Sequence, residues 1–335
     1  MIYIWLQFGI CVAIITVAGS KLSNYGNLIA EKTGMGGTVV GLVLLATVTS
    51  LPELITGISA VTVTDLPDLA VGAILGSCVF NLAILVILDF LYRGESVYSK
   101  AHQGHVLSAG FGVVLIGFTG FSVLESSAGI LPSLAHIGLY TPVIVVAYLL
   151  AMRTVFHYER DHRAEFVEEA TERLPDISLR QASVRYGVAA LVVVAVGAWL
   201  PIVGDQMAQE MGWHHSFVGT LLIAFATSAP ELVVTVAAIR LAALNMAIGN
   251  LLGSNLFNIL IIPVVDILFL KGPILSNVSS VHAISAMSAM IMTGVFIIGL
   301  FYRARTRFYR TVGWASLILF SLYLINSYVL YIHGG

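Results

Sequence analysis

Long, uninterrupted apolar runs dominate this chain, and they do not alternate with polar residues at a period of two. A helix needs about 20 such residues to cross a bilayer. Ten runs approach or exceed that length, at about 2–19, 36–60, 67–90, 103–121, 128–152, 183–203, 214–239, 246–269, 279–301 and 308–331. Continuous rather than alternating apolarity excludes a transmembrane β-barrel. The pattern predicts an all-α polytopic membrane protein with ten transmembrane helices. The first run has no basic residue ahead of it, and its first positive charge, Lys21, follows the apolar stretch. It reads as a retained span, not a signal peptide.

The polar positions orient the spans. With ten spans, the odd-numbered connections fall on one side of the membrane. They carry Lys21 and Lys32, Arg93 and Lys100, six arginines between 153 and 185, Arg240, and four arginines between 303 and 310. Of the 16 basic residues, only Lys271 lies on the other side. Cytoplasmic loops are enriched in Lys and Arg, so both termini are expected outside the cytoplasm. The one strongly polar stretch, 153–182, joins two halves of five spans each, 1–152 and 183–335, and reads as a partly helical cytoplasmic linker. It is too short for a folded domain of its own.

Composition agrees and excludes other classes. Of 335 residues, 58% are hydrophobic and only 10% charged, against about 25% charged in soluble domains. A soluble enzyme, a disordered chain and a nucleic-acid binder are all excluded. Cys11 and Cys78 lie inside apolar runs, so neither a disulfide framework nor a zinc site follows from them.

The two halves repeat. Ala46-Thr47-Val48-Thr49-Ser50-Leu51-Pro52-Glu53-Leu54 matches Ala224-Phe225-Ala226-Thr227-Ser228-Ala229-Pro230-Glu231-Leu232 at an offset of 178. Gly72-Ala73-Ile74-Leu75-Gly76-Ser77-Cys78-Val79-Phe80-Asn81 matches the stretch from Gly249 to Asn258 at an offset of 177, and Asp89 and Asp266 keep that offset. An odd number of spans per half gives the second copy the opposite polarity. Such inverted repeats are a plan of secondary transporters, with the substrate near the midplane.

The repeated residues suggest what is carried. Glu53 and Glu231 lie deep in spans 2 and 7, where an ionised carboxylate is costly. No Lys or Arg lies within the spans except at their edges, so a cation or proton must compensate. The bland alternative is a protonated, hydrogen-bonded glutamate in each half. Pro52 and Pro230 remove a backbone donor and break or kink both helices beside the acids; freed carbonyls at that depth must face protein or a hydrated cavity. Thr49 and Ser50 share a helical face with Glu53, as Thr227 and Ser228 do with Glu231. Ser77 stands four before Asn81, and Ser254 four before Asn258. All of these candidate ligands are oxygens, which suit hard cations such as Ca²⁺ and Na⁺ rather than zinc or copper. Gly72, Gly76, Gly249 and Gly253 form small-xxx-small patterns that permit close helix packing. Asp89 and Asp266 are expected at helix ends, either as entrance charges at the two mouths or as solvated termini. The nine histidines show no ligand spacing, and His214 and His215 are expected at the interface.

The Thr-Ser-x-Pro-Glu and Gly-x-x-x-Gly-Ser-x-x-x-Asn segments resemble the α-repeats of the sodium/calcium exchanger family, within the cation/Ca²⁺ antiporter superfamily. The resemblance is specific over about 80 residues. It implies four cation positions in a diamond, shared in alternation by Na⁺ and Ca²⁺, with no cofactor, no enzymatic activity and no obligate protein partner beyond the lipid bilayer. Glu53 and Glu231 would be the central Ca²⁺ ligands, completed by the carbonyls of Thr49 and Thr227. Ser50 and Ser77 with the Ala224 carbonyl would hold one flanking Na⁺. Ser228 and Ser254 with the Ala46 carbonyl would hold the other, and Asn81 and Asn258 would line the middle position. The chain departs from the family in having Val48 and Ala226 where a glycine precedes Thr-Ser, Ala73 opposite Asn250, and two asparagines where some relatives carry an aspartate. The implied function is Na⁺-driven Ca²⁺ extrusion in a minimal, prokaryotic-type exchanger of the plasma membrane. A Ca²⁺/H⁺ exchanger, a K⁺-dependent exchanger and a passive cation channel are the competing readings. The Gly-Asn-x-x-Glu pattern usual in proton-coupled relatives is missing, as is any filter loop.

Overall fold

The computed structural model describes residues 1–32, 46–92, 96–129, 132–161, 177–240, 243–303, 307–308 and 312–333. In chain order the helices are α1 (Ile2–Lys32), α2 (Leu51–Thr62), α3 (Pro67–Leu91), α4 (His105–Ser127), α5 (Tyr140–Asp161), α6 (Leu179–Met211), a bent pair α7a (His215–Thr227) and α7b (Ala229–Arg240), α8 (Leu244–Leu268), α9 (His282–Tyr302) and α10 (Trp314–His333). Among the described residues, eight of these are long and apolar enough to span a membrane, and the α7 pair, bent by 43°, makes a ninth. The second of the ten expected spans is described only from Ala46 onward, as a helical turn followed by α2; its start at 36–45 lies outside the described residues. Two-residue hairpins before α5 (Ser133–Leu134 with Ile137–Gly138) and α10 (Arg307–Phe308 with Val312–Gly313) are the only strands among them.

Helix ends follow local chemistry. α6 starts at a capping box, in which Ser178 accepts from the Gln181 amide and Gln181 reaches back to the Ser178 N–H. It stops at Gly212, whose φ of +66° is the left-handed geometry glycine adopts without strain. α1 and α6 are the longest helices, at 31 and 33 residues, and exceed the 20 or so that a bilayer requires. Helix also extends into both ends of the expected linker, to Asp161 and from Leu179; residues 162–176 lie outside the described residues.

A helix apolar all round belongs in the interior. α3 behaves so, with 89% of its apolar window buried, against 28% for α10. α3 and α8 pack together at the centre, and α1 and α6 pack along each other outside. Each outer helix meets a Pro-Glu helix through a glycine. A Cβ on Gly19 of α1 would lie 2.5 Å from Pro230 Cγ, and one on Gly197 of α6 would lie 3.3 Å from Ile55 Cγ2. Gly19 and Gly197 are themselves 178 residues apart.

Asp89 and Asp266 are neither mouth charges nor solvated helix ends, which corrects the sequence expectation: both are fully buried. Asp89 accepts bonds from Ser96 Oγ (3.0 Å), the Val97 N–H (3.0 Å), the Gly313 N–H (2.6 Å) and Ser316 Oγ (2.9 Å). Asp266 accepts from the Gly138 N–H (3.0 Å), Tyr140 Oη (2.6 Å), Thr141 Oγ1 (2.6 Å) and the Ile274 N–H (2.7 Å). A carboxylate offers about four acceptor sites, and each is filled. Asp89 thus clasps the α3–α4 connection to the start of α10, and Asp266 clasps the α8–α9 connection to the start of α5. The repeat therefore extends well past the matched motifs.

Candidate cation site

Both Pro-Glu motifs sit at a helix break. Ser50 and Ser228 leave helical geometry in the same way, with ψ near 12° and 6°. Pro52 falls at the start of α2 and Pro230 at the start of α7b, where a missing N–H is tolerated. The helix breaks expected from the prolines are present in both halves, and in the second the break bends the span by 43°. Ahead of the second lies a π-helical segment, Val218–Ile223, which the sequence reading does not anticipate. Single π turns recur at functional sites. Here the segment presses on α3: a Cβ on Gly76 would lie 2.3 Å from the Thr220 carbonyl oxygen, and one on Gly219 would lie 2.6 Å from the Leu69 carbonyl oxygen. Gly72 and Gly76 thus have the close-packing role expected of them. In the second copy a Cβ on Gly253 would lie 2.8 Å from Ala46 Cβ, whereas one on Gly249 would meet only His105, at 3.8 Å.

The polar residues converge in reciprocal pairs. Ser228 Oγ donates to Glu53 Oε1 at 2.8 Å, and Ser50 Oγ donates to Glu231 Oε1 at 3.2 Å. Ser77 Oγ lies 3.4 Å from Thr227 Oγ1, and Ser254 Oγ lies 3.3 Å from Thr49 Oγ1. Residue i of one half touching j of the other, while j touches i, is the signature of a twofold relation. Because Ser50 and Glu53 are neighbours on one helix face, the two carboxylates face each other within about one helical turn.

Each carboxylate keeps an oxygen in reserve. Glu53 and Glu231 are buried, and the Oε2 atom of each has no hydrogen-bond partner among the described residues. Asn81 Oδ1 and both amide atoms of Asn258 are likewise unpartnered. Buried polar groups are ordinarily satisfied, and the unpartnered oxygens of Glu53, Glu231, Asn81 and Asn258 make this cluster the candidate cation site. Among the described residues no group of three or more His, Cys, Asp or Glu side chains could hold a metal. The formal charge of the cluster is therefore that of the two glutamates, and hydroxyl, amide and carbonyl oxygens must supply the remaining coordination.

The other predicted residues are placed less simply. The Ala46 carbonyl accepts from the Ser50 N–H (3.1 Å) and Thr49 Oγ1 (3.1 Å). The Ala224 carbonyl accepts from the Ser228 N–H (2.9 Å) and Thr227 Oγ1 (3.3 Å). Either carbonyl would have to release a hydroxyl to face an ion in full. Ser77 also donates to Glu53 Oε1 at 3.4 Å, so it borders the central carboxylate as well as a flanking position.

Two residues next to the site escape the sequence reading. Asn250 Oδ1 accepts from Thr49 Oγ1 at 3.4 Å, and its Nδ2 is buried without a partner among the described residues. Asn255 bridges the halves: its Oδ1 accepts from Asn81 Nδ2 at 3.0 Å, and its Nδ2 donates to the Cys78 carbonyl at 3.2 Å. The Asn81 amide is thereby held through its Nδ2, and its Oδ1 is left without a partner among the described residues. The available signal was asymmetry, since Asn250 and Asn255 replace Ala73 and Cys78 in otherwise matching segments.

Comparison with known proteins agrees with this picture. An inner membrane protein of Escherichia coli, YrbG, is 26% identical over 264 residues, covering 78% of each chain. Among solved structures, the H⁺/Ca²⁺ exchanger CAX aligns with a TM-score of 0.69 at 13% identity, over 98% of this chain and 86% of its own. The sodium-calcium exchanger NCX_Mj aligns with a TM-score of 0.59 at 19% identity, over 97% of this chain and 98% of its own. At such identities these two establish the fold alone: a polytopic helical bundle. The family profile described as sodium/calcium exchanger protein matches residues 3–149 and 184–329, nearly the whole chain. This multi-pass membrane protein, with its paired Pro-Glu breaks, belongs to the sodium/calcium exchanger family.

Proposed function

We propose that the protein exchanges Na⁺ for Ca²⁺ by alternating access, with Na⁺ entry driving Ca²⁺ out of the cell. Glu53 and Glu231 bind Ca²⁺ at the centre, with the carbonyls of Thr49 and Thr227. Ser50, Ser77 and the Ala224 carbonyl serve one flanking Na⁺ position, and Ser228, Ser254 and the Ala46 carbonyl serve the other. Asn81 and Asn258 line the middle. The halves 1–152 and 183–335 form the two membrane repeats. The linker at 153–182 is cytoplasmic, and both termini are outside.

One observation carries this reading: two buried carboxylates face each other, each with an unpartnered oxygen, among hydroxyls and amides contributed reciprocally by both halves. A bare carboxylate in a low-dielectric interior costs several kcal/mol. Raising the barrier to the empty transition by about 5 kcal/mol slows it between 10³- and 10⁴-fold. The carrier therefore moves when loaded. One Ca²⁺ or two Na⁺ neutralise the pair, and mutually exclusive occupancy couples the two fluxes. α1 and α6 rest on the core through small residues and slide across it to expose one side or the other.

The test is ⁴⁵Ca²⁺ uptake into proteoliposomes with Na⁺, K⁺ and pH gradients imposed separately. A Na⁺ gradient alone should drive uptake, and Glu53→Gln or Glu231→Gln should abolish it. Uptake driven by a pH gradient with no response to Na⁺ would move the protein to proton coupling. Retained flux in either variant would remove the glutamates from the mechanism.

A further inference from the structure

A groove of about 620 Å³ runs between α1 and α6 on their outer face. Its floor is formed by Ala18 and Ala189, both buried, and its walls by Val17, Val184 and Val188, each more than half exposed. Small side chains between rows of branched ones leave an apolar slot along the helix pair. From Ala13 to Tyr25, 13 residues and so 12 rises, it extends about 18 Å along the helix axis.

One end of the groove is basic and the rest is not. Lys21 of α1 and Arg185 of α6 line that end with Tyr25, and no acidic side chain lines the groove. Among the described residues neither cation forms an ion pair, and both are exposed. The Arg185 guanidinium lies 6.0 Å from the centroid of the Tyr25 ring, which holds it over the groove mouth. The helices are antiparallel, so the C-terminal part of α1 meets the N-terminal part of α6. Two unpaired cations from different helices thus converge on one end of an apolar slot.

We infer that this groove is a binding site for an anionic glycerophospholipid of the cytoplasmic leaflet, its phosphate bridging Lys21 and Arg185 and one acyl chain lying over Ala18 and Ala189. Charge complementarity selects the occupant: basic pockets between membrane helices on the cytoplasmic side take anionic headgroups, and a Lys or Arg near an anionic membrane surface contributes about 1 kcal/mol. A zwitterionic lipid places its own cation beside Lys21 and loses that gain. The lipid joins the two helices proposed to slide together, and so couples anionic lipid to the rate of exchange. The choice of leaflet rests on the orientation proposed above; the binding itself does not.

Native mass spectrometry of the full-length protein in detergent, titrated with phosphatidylglycerol or phosphatidylcholine, tests the site without any transport assay. The wild type should retain phosphatidylglycerol in preference. Lys21→Gln or Arg185→Gln should each weaken that binding roughly fivefold, and together on the order of 25-fold, with little change for phosphatidylcholine. Val188→Trp alters an exposed wall and fills the slot, so it should weaken both lipids with the cations intact. Lys271→Gln, far from the groove in sequence and held by Asp65, should change nothing. Equal retention of the two lipids by the wild type, or undiminished phosphatidylglycerol binding in the double variant, would overturn the site. Unchanged binding in Val188→Trp would overturn the seated acyl chain.

Discussion

Replacing Asp266 by Asn changes one heavy atom and should cost the fold more than removing an exposed charge. The carboxylate takes four donors at 2.6–3.0 Å: two hydroxyls and two backbone N–H groups. An amide has one oxygen and so serves two of them, while its NH₂ is turned against the other two. Each hydrogen bond to a charged group contributes about 1.5–3 kcal/mol, so losing two costs about 3–6 kcal/mol, before counting the apposed donors. Asp89→Asn should cost the same, because its four donors are equivalent. The assay is thermal loss of the monodisperse peak on size-exclusion chromatography of purified protein. Both variants should lose their peak on the order of 10 °C lower than the wild type. Breaking the exposed Lys271–Asp65 pair with Lys271→Gln should move it little. A shift within about 2 °C for both aspartate variants would refute the clasp.

Three further outcomes follow from close contacts. Gly76→Ala forces a methyl to 2.3 Å from a backbone oxygen of the π-helical segment and should cost at least the 1–3 kcal/mol of an overpacked core, seen as lost yield; Gly249→Ala, with its nearest neighbour at 3.8 Å, should be neutral or mildly stabilising. Asn255→Ala frees the Asn81 amide and should raise the Ca²⁺ concentration for half-maximal uptake by roughly tenfold, the equivalent of about one hydrogen bond; an unchanged value would mean that Asn81 holds its orientation unaided. Thr56 Oγ1 donates to the Gly197 carbonyl at 3.1 Å and Ser59 Oγ to the Ala198 carbonyl at 2.6 Å. Thr56→Val with Ser59→Ala should therefore loosen α2 from α6 by about 2 kcal/mol and speed hydrogen exchange along α6; exchange at the wild-type rate would show that these bonds do not hold the interface.

The breaks beside Glu53 and Glu231 were legible because proline acts on its own helix: the lost N–H of Pro52 or Pro230 falls within one turn of the acid, whatever surrounds it. The convergence of the two acids was legible for another reason. An identical Thr-Ser-x-Pro-Glu in two halves of opposite polarity has a twofold arrangement as its natural packing, and Ser50 on Glu231 with Ser228 on Glu53 is that arrangement. What could not be read were contacts whose partners are remote and chemically ordinary. Nothing around Asn255 in sequence reports that Asn81, 174 residues earlier, donates to it. The π turn at Val218–Ile223 packs on α3 where Gly72 and Gly76 allow close approach, and that contact is a property of two segments and not of one. Asp89 and Asp266 are the instructive failure. A lone aspartate near the end of an apolar run looks the same whether it meets water or four buried donors. The numbering spoke against water: a merely solvated carboxylate has no reason to recur at the 177-residue offset of the motif around Ser77 and Ser254. A clasp that each half needs, to tie a connection to the start of a distant helix, has that reason.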